Sequence, residues 1–156
     1  MTQSAARELA AFVLPSEPGN ERQALARVAD AVAGSGLSAN QLERLKTAVA
    51  EATMNAIEHG NRDRSDVPVE VTVVEETGAV VVTISDQGGG NGAHPAPVEP
   101  DLDEKLAGLQ TPRGWGLFLI RHMVDEVDEV RDGERHTVRL TVFRPGLPPA
   151  VSRSQA

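Results

Sequence analysis

The stretch VPVEVTVVEETGAVVVTISD, residues 67–86, carries the clearest structural pattern in the chain. Its first half places valine at every second position: Val67, Val69, Val71 and Val73. This is the spacing of a strand with one buried face. After the EETG segment the same spacing returns at Val80, Val82 and Ile84. The sequence therefore predicts a β-hairpin with an apolar and a polar face.

Helical periodicity flanks the hairpin on both sides. Upstream, apolar residues recur at helical spacing over about 21–33 and 39–59. Ser38 stands where an N-cap is expected for the second helix, and Gln41 occupies the capping-box position. Downstream, the sequence predicts a third helix that opens near Gly116. The hairpin is therefore expected to pack against three helices.

Further strands complete the predicted order β-α-α-β-β-loop-α-β-β. Residues 7–14 alternate roughly, and a second hairpin is expected around the turn pair Asp132-Gly133. Because consecutive strands form hairpins, we expect an α+β two-layer sandwich. It has a mostly antiparallel mixed sheet covered on one face by three helices.

Composition excludes several classes of protein. The 156 residues suffice for one domain with a core, and the absence of cysteine rules out disulfides and thiolate metal sites. A net charge of −8 disfavours binding to nucleic acid or to an anionic membrane. Neither a signal peptide nor an apolar run of membrane-spanning length is visible. We therefore expect a cytoplasmic protein.

The second predicted helix carries an unexpected polar stripe. Glu51 and Asn55 lie one helical turn apart, and His59 follows one turn later. A solvated face would explain this pattern. The functional alternative is that Asn55 offers a neutral amide oxygen to Mg²⁺ and that Glu51 accepts a proton from an attacking hydroxyl. For His59 a hydrogen bond at the helix end is the simpler interpretation.

Two glycine-rich stretches could bind a nucleotide. The DQGGG stretch at 86–90 follows a buried strand, where glycines allow close backbone approach to a planar ligand and Asp86 could accept a hydrogen bond from an exocyclic amine. The GWG stretch at 114–116 opens a helix, whose N-terminus attracts phosphate. Arg113 would add positive charge there. Taken singly, each stretch is equally typical of an ordinary loop.

The three motifs occur in a characteristic order. ExxxNAxxH at 51–59, DxGxG at 86–90 and GxGLxLIR at 114–121 resemble the N, G1 and G2 boxes of the Bergerat-fold (GHKL) ATPases. Within that superfamily the chain is most similar to the anti-sigma-factor serine/threonine kinases of bacterial partner switching. The segments SEPGN, LKTAVAEATMNAIEHGN and GLFLIRHMVDEVDEV carry this resemblance.

The resemblance implies roles for individual residues. Glu51 would be the general base toward a protein serine, and Asn55 would hold the Mg²⁺ of bound ATP. Asp86 would bind the adenine amino group. The other implied nucleotide-binding positions are Gly88, Gly90, Arg113, Gly114, Trp115, Gly116, Leu117 and Thr137. Whether Lys105 or Arg113 reaches the γ-phosphate stays open.

The resemblance also implies a domain plan. A histidine-kinase-like ATPase domain would span 1–143, with an ATP lid over about 91–113. The proline-rich tail, 144–156, is expected to be disordered.

By the same resemblance, the protein would bind a sigma factor, phosphorylate a STAS-domain anti-sigma antagonist on serine and form a homodimer. One alternative is a nucleotide-binding regulator that works by sequestration without kinase activity. A histidine kinase is disfavoured, because that class needs a helical hairpin carrying the phosphoacceptor histidine and only one helix precedes Ser38.

Overall fold

The computed structural model describes residues 6–88 and 113–145, with side chains in the second range given from residue 116 onward. Gly90, nearly all of the predicted lid and most of the predicted tail lie outside the described residues. The side chains of Arg113 and Trp115 also lie outside them.

Five strands form a single sheet: β1 (Arg7–Pro15), β2 (Pro68–Glu76), β3 (Ala79–Asp86), β4 (Glu126–Asp132) and β5 (Arg135–Phe143). Their order across the sheet is β1-β2-β3-β5-β4, and each of these pairings is antiparallel. Hairpin β2–β3 is the one predicted from the valine alternation. The strand β5 is inserted next to β3, so the ends of β3 and β5 become neighbours although they are distant along the chain.

In the described parts of the chain, three helices pack on the sheet: α1 (Glu21–Ala31), α2 (Ala39–Asn55) and α3 (Arg113–Met123). The capping box that opens α2 is present: the Gln41 N–H donates to Ser38 Oγ and the Ser38 N–H donates to Gln41 Oε1, both at 3.0 Å. The α+β architecture with three helices is therefore confirmed.

Some predicted bounds differ from the structure. The second helix was expected to continue to residue 59, but α2 ends at Asn55 and widens into a π-helical turn over Ala56–Gly60. The Asn61 N–H closes this turn by donating to the Ala56 carbonyl at 2.7 Å. π-Helical turns occur preferentially at functional sites. At the other motif, α3 begins at Arg113, so Gly116 lies inside the first turn rather than at the start of the helix.

The core lies between the helices and one face of the sheet. The alternating positions of the β2–β3 hairpin are fully or almost fully buried: Val69, Val71, Val73, Val80, Val82 and Ile84. Helical residues such as Val28, Leu45 and Ile57 complete the same apolar cluster. The aliphatic character of this core follows from the scarcity of aromatic residues. Among the described residues, no helix is long and apolar enough to cross a membrane.

Candidate functional site

The polar stripe of α2 faces the first turn of α3. A Cβ atom added to Gly116 would lie 2.7 Å from Asn55 Nδ2, 3.1 Å from Asn55 Oδ1 and 3.1 Å from Glu51 Oε2. Both polar side chains are half-buried. A larger residue at position 116 would therefore occupy the space into which the amide and the carboxylate project. The glycine is required because the helix backbone passes directly over these two groups.

The second glycine stretch meets the π-helical turn. A Cβ atom on Gly60 would lie 2.2 Å from Asp86 Cγ, and one on Gly88 would lie 1.3 Å from the Gly60 carbonyl oxygen. The side chain of Asp86 therefore occupies the space that a side chain at position 60 would need. The end of β3 and the end of the α2 region are packed backbone to backbone at this point.

Asp86 is buried and hydrogen-bonded through both carboxylate oxygens. The Gly88 N–H donates to Oδ1 at 3.2 Å, and Nδ1 of His136 lies 3.2 Å from Oδ2. The other ring nitrogen of His136 lies 2.9 Å from Glu129 Oε1. The two carboxylates raise the pKa of His136 to about 9, against the opposing effect of burial. The hydrogen bond from His136 in turn lowers the pKa of Glu129.

Asn61 ties the surrounding loops together. Its side chain is fully buried. Nδ2 donates to Ser16 Oγ at 2.9 Å and to the carbonyls of Val67 and Pro68 at 3.3 and 3.2 Å, while Oδ1 accepts from the Gln87 N–H at 2.9 Å. Asn61 thus links Gln87, the residue after Asp86, to the segment before α1 and to the start of β2.

The predicted site residues fall into two groups. Glu51 and Asn55 come together with Gly116, and Asp86 comes together with Gly88. Side chains of Arg113 and Trp115, the surroundings of Gly114, and the whole of Gly90 lie outside the described residues. Leu117 is partly buried and packs against the core. His59, never assigned to the site, is exposed.

Thr137 does not share a face with Asp86. In the β3–β5 ladder Thr137 pairs with Ser85 and His136 pairs with Asp86. Adjacent residues of a strand point to opposite faces, so Thr137 lies on the other side of the sheet, where its hydroxyl is 2.7 Å from that of Ser85. The structure therefore brings His136, and not Thr137, into contact with Asp86.

Three residues of the site were not predicted: Gly60, Asn61 and His136. A signal for His136 was present, because it is in phase with the core-facing residues Val138 and Leu140 of the same strand. Gly60 stands directly after the second predicted helix, where glycine is common as a helix terminator, so its position indicates no further role. Asn61 carries no pattern in the sequence, since its hydrogen-bond partners are distributed over several loops.

The side-chain oxygen atoms of α2 that lie beside the first turn of α3 could bind a hard cation only together with a bound phosphate. Asn55 and Glu51 present an amide and a carboxylate, which are oxygen donors of the kind Mg²⁺ prefers. Across residues 6–88 and 113–145, no cluster of three or more His, Cys, Asp or Glu side chains could hold a metal by itself. A magnesium ion here would therefore need oxygen atoms from a bound phosphate.

Comparisons with known proteins identify the family of the chain. Residues 14–142 match the family model described as histidine kinase-like ATPase domain. An anti-sigma F factor of Geobacillus stearothermophilus is 32% identical over 114 residues, covering 69% of this chain and 73% of the relative. An anti-sigma F factor of Bacillus subtilis (strain 168) is 31% identical over 129 residues, covering 78% and 83% of the two chains.

A solved structure supports the fold. The crystal structure of the RsbU and RsbW domains of a Mycobacterium tuberculosis protein superposes with a TM-score of 0.60 at 20% identity. The match covers 87% of this chain and 33% of that chain, which is therefore much longer. Since the family model covers most of the sequence and curated relatives exceed 30% identity, the chain belongs to the histidine kinase-like ATPase domain family, the GHKL group, and is a relative of the anti-sigma F factors.

Proposed function

We propose that the protein is an ATP-dependent serine/threonine protein kinase that also acts as an anti-sigma factor. The observation that carries the proposal is the convergence of Glu51 and Asn55 on Gly116 in the first turn of α3. A helix N-terminus offers unpaired N–H groups to phosphate, and here it lies beside an amide oxygen and a carboxylate. Asp86, at the end of β3, supplies an acceptor for the amine of a base.

Each group has a distinct proposed task. When bound, Mg-ATP would supply the phosphoryl group, the negative charge of the phosphates and the positive charge of the metal ion. The Asn55 amide oxygen would hold the metal without adding a further negative charge beside the phosphates. The backbone N–H groups around Gly116 would donate hydrogen bonds to the phosphate oxygens. Transfer of this kind depends mainly on alignment and charge stabilisation, which fixed groups on two packed helices provide.

Glu51 is the proposed general base. Its carboxylate lies one turn before Asn55 on the same helix and approaches the same glycine. From there it could accept the proton of a serine hydroxyl as that hydroxyl attacks the phosphorus. Histidine kinases of this superfamily also carry an acid at this place, so the assignment of serine as acceptor rests on the resemblance of the sequence motifs rather than on Glu51.

The names of the relatives support one of the proposed partners. Proteins called anti-sigma F factors are about 30% identical to this chain, which supports a sigma factor as partner. A STAS-domain antagonist as phosphoacceptor, a homodimer and a cytoplasmic location extend the same proposal. The domain over 1–143, with a lid over about 91–113 and a tail over 144–156, is likewise proposed.

Phosphoryl transfer to a candidate antagonist, measured together with ATP affinity, tests the proposal. Asn55→Ala should abolish Mg-dependent ATP binding, because it removes the metal ligand. Glu51→Ala should keep ATP affinity and slow transfer by about 10²-fold or more, the usual contribution of a general base. Asn40→Ala and Glu43→Ala are matched controls, since both residues are exposed and lie on the same helix away from Gly116.

The possible results separate the competing interpretations. The kinase is supported if the parent protein transfers phosphate and the Asn55→Ala and Glu51→Ala variants lose activity as described. Tight ATP binding without transfer to any antagonist would favour the alternative, a regulator that acts by sequestration alone. Parent-like transfer in Glu51→Ala would contradict the role of Glu51 as base.

A further inference from the structure

We propose that His136 is a positioning residue for nucleotide recognition: bridged between Asp86 and Glu129, it holds the Asp86 carboxylate in the orientation that accepts the amine of the base. This inference rests on the proposed nucleotide-binding function and deepens it. It assigns base selectivity, and its dependence on pH, to a residue outside the three sequence motifs.

The fold places His136 and Asp86 side by side. The two residues are direct partners in the β3–β5 ladder, so their side chains share a face and start from neighbouring Cα atoms. Nδ1 of His136 lies 3.2 Å from Asp86 Oδ2, and Nε2 lies 2.9 Å from Glu129 Oε1. The side chains of Asp86 and His136 are 5% and 14% exposed. The bridge is therefore largely shielded from water.

The bridge requires a protonated imidazole ring. A neutral imidazole has one N–H donor and one lone pair, whereas an imidazolium has two donors. Both ring nitrogens here face carboxylate oxygens, so a neutral ring would turn a lone pair toward one of them. The hydrogen bonds to Asp86 and then to Glu129 accordingly raise the pKa of His136 to about 9. At neutral pH the ring is an imidazolium that donates to both acids.

Charged groups on the neighbouring elements favour the same state. On β4, Arg131 is the ladder partner of His136, and on α3, Arg121 lies 3.9 Å from Glu129 Oε2. Both arginines help to lower the pKa of Glu129. Arg135, next to His136 on β5, pairs with Glu70 of β2 at 2.7 Å. Glu129 therefore stays ionised and anchors the far side of the ring.

The bridge restricts Asp86 without using all of its acceptor capacity. A carboxylate has about four lone-pair sites, and the contacts with His136 and the Gly88 N–H use two of them. The remaining sites can accept an amine donor. Because the carboxylate is already held in one orientation, binding a base costs less conformational entropy than it would with a freely rotating side chain.

Two substitutions of His136 distinguish a positioning role from general packing. In His136→Asn the amide nitrogen falls close to the place of Nδ1 and can still donate to Asp86. In His136→Gln it falls close to Nε2 and keeps only the contact with Glu129. ATP and inosine triphosphate, which lacks the exocyclic amine, are the probes, and the dissociation constants are measured from pH 6.5 to pH 10.

The expected results differ between variants. His136→Gln should weaken ATP binding by about tenfold at neutral pH, with little effect on inosine triphosphate and on the rate of transfer at saturating ATP. His136→Asn should retain most of the preference for ATP. In the parent protein the affinity for ATP should fall as pH rises through about 9. Glu129→Gln should move this fall to lower pH, because it removes the charge that stabilises the imidazolium.

Failure of this inference can be told apart from failure of the proposed function. If the parent protein binds ATP but His136→Gln shows the same affinity and the same preference over inosine triphosphate, the positioning role is overturned. If the parent binds no nucleotide, the proposed function fails and base recognition fails with it. In that case, NMR titration of the His136 ring in nucleotide-free protein still tests the contact between His136 and Asp86. The Asp86→Asn substitution must lower the pKa of His136 if the contact exists.

Discussion

Replacing Asn61 by alanine is expected to destabilise the fold more than any comparable change at an exposed asparagine. Asn61 is fully buried, and its side chain bonds Ser16, the Pro68 carbonyl and the Gln87 N–H. Alanine removes the donor and the acceptor together. Groups from three separate segments then lose their partner at the same time.

The magnitude follows from the number and burial of these bonds. Four hydrogen bonds of 2.9, 3.3, 3.2 and 2.9 Å are lost. The three bonds from Nδ2 share its two hydrogens, so the loss corresponds to about three full hydrogen bonds. Each contributes about 1 kcal/mol net, and a partner left unsatisfied in a buried position costs more. We expect the free energy of unfolding to fall by about 3 kcal/mol. For a domain of this size that corresponds to a decrease in Tm of about 10 °C.

Urea unfolding followed by circular dichroism measures the change. Asn20→Ala is the matched control, because the Asn20 side chain also donates to a carbonyl, that of Pro15 at 2.8 Å, and accepts from Gln23 Nε2 at 3.2 Å, but both hydrogen bonds are exposed to solvent. Its loss should cost under about 1 kcal/mol. Equal destabilisation by the two substitutions would refute the reasoning that the buried network of Asn61 connects these loops.

Two further predictions concern the site. Gly116→Ala would place a methyl group 2.7 Å from Asn55 Nδ2. Nucleotide affinity, measured by calorimetric titration, should therefore fall by about tenfold or more. Gly34→Ala is the control and should match the parent, because no atom lies within 4 Å of the added methyl group. Similar affinities for both variants would contradict the packing described. The pKa of His136, raised from 6.5 to about 9, means that its imidazolium stabilises the folded state by up to about 3 kcal/mol below pH 6.5, and this is lost as pH rises through 9. Urea unfolding over pH 6–10 should show the decline in the parent protein and not in His136→Gln; a decline of equal size in both would rule out His136 as its source.

The secondary structure was largely predictable because local patterns decide it. Strict alternation of valines in β2 and β3, and the capping box of Ser38 and Gln41, act over a few residues and appear directly in the sequence. The π-helical turn after Asn55 was not predictable in this way. It depends on a hydrogen bond from Asn61, whose position is set by contacts with other segments.

The candidate site was predicted in part. The order of three motifs led to Glu51, Asn55 and Asp86, since each carries a side chain whose chemistry is recognisable from its neighbours in the chain. The contact between His136 and Asp86 shows where this reasoning stops, because His136 lies outside the three motifs. Which of two adjacent residues faces a given carboxylate depends on the register of β5 against β3.

The amino-acid sequence by itself determined the elements, their order and the residue types that can bind a nucleotide, because periodicity, capping and motif spacing are properties of neighbouring positions. Only the tertiary structure decided that Gly60 makes room for Asp86 and that His136 is held between two acids. The contacts of Asp86 with Gly60 and with His136 join residues 26 and 50 positions apart. They depend on strand register and on backbone approach, which no local pattern encodes.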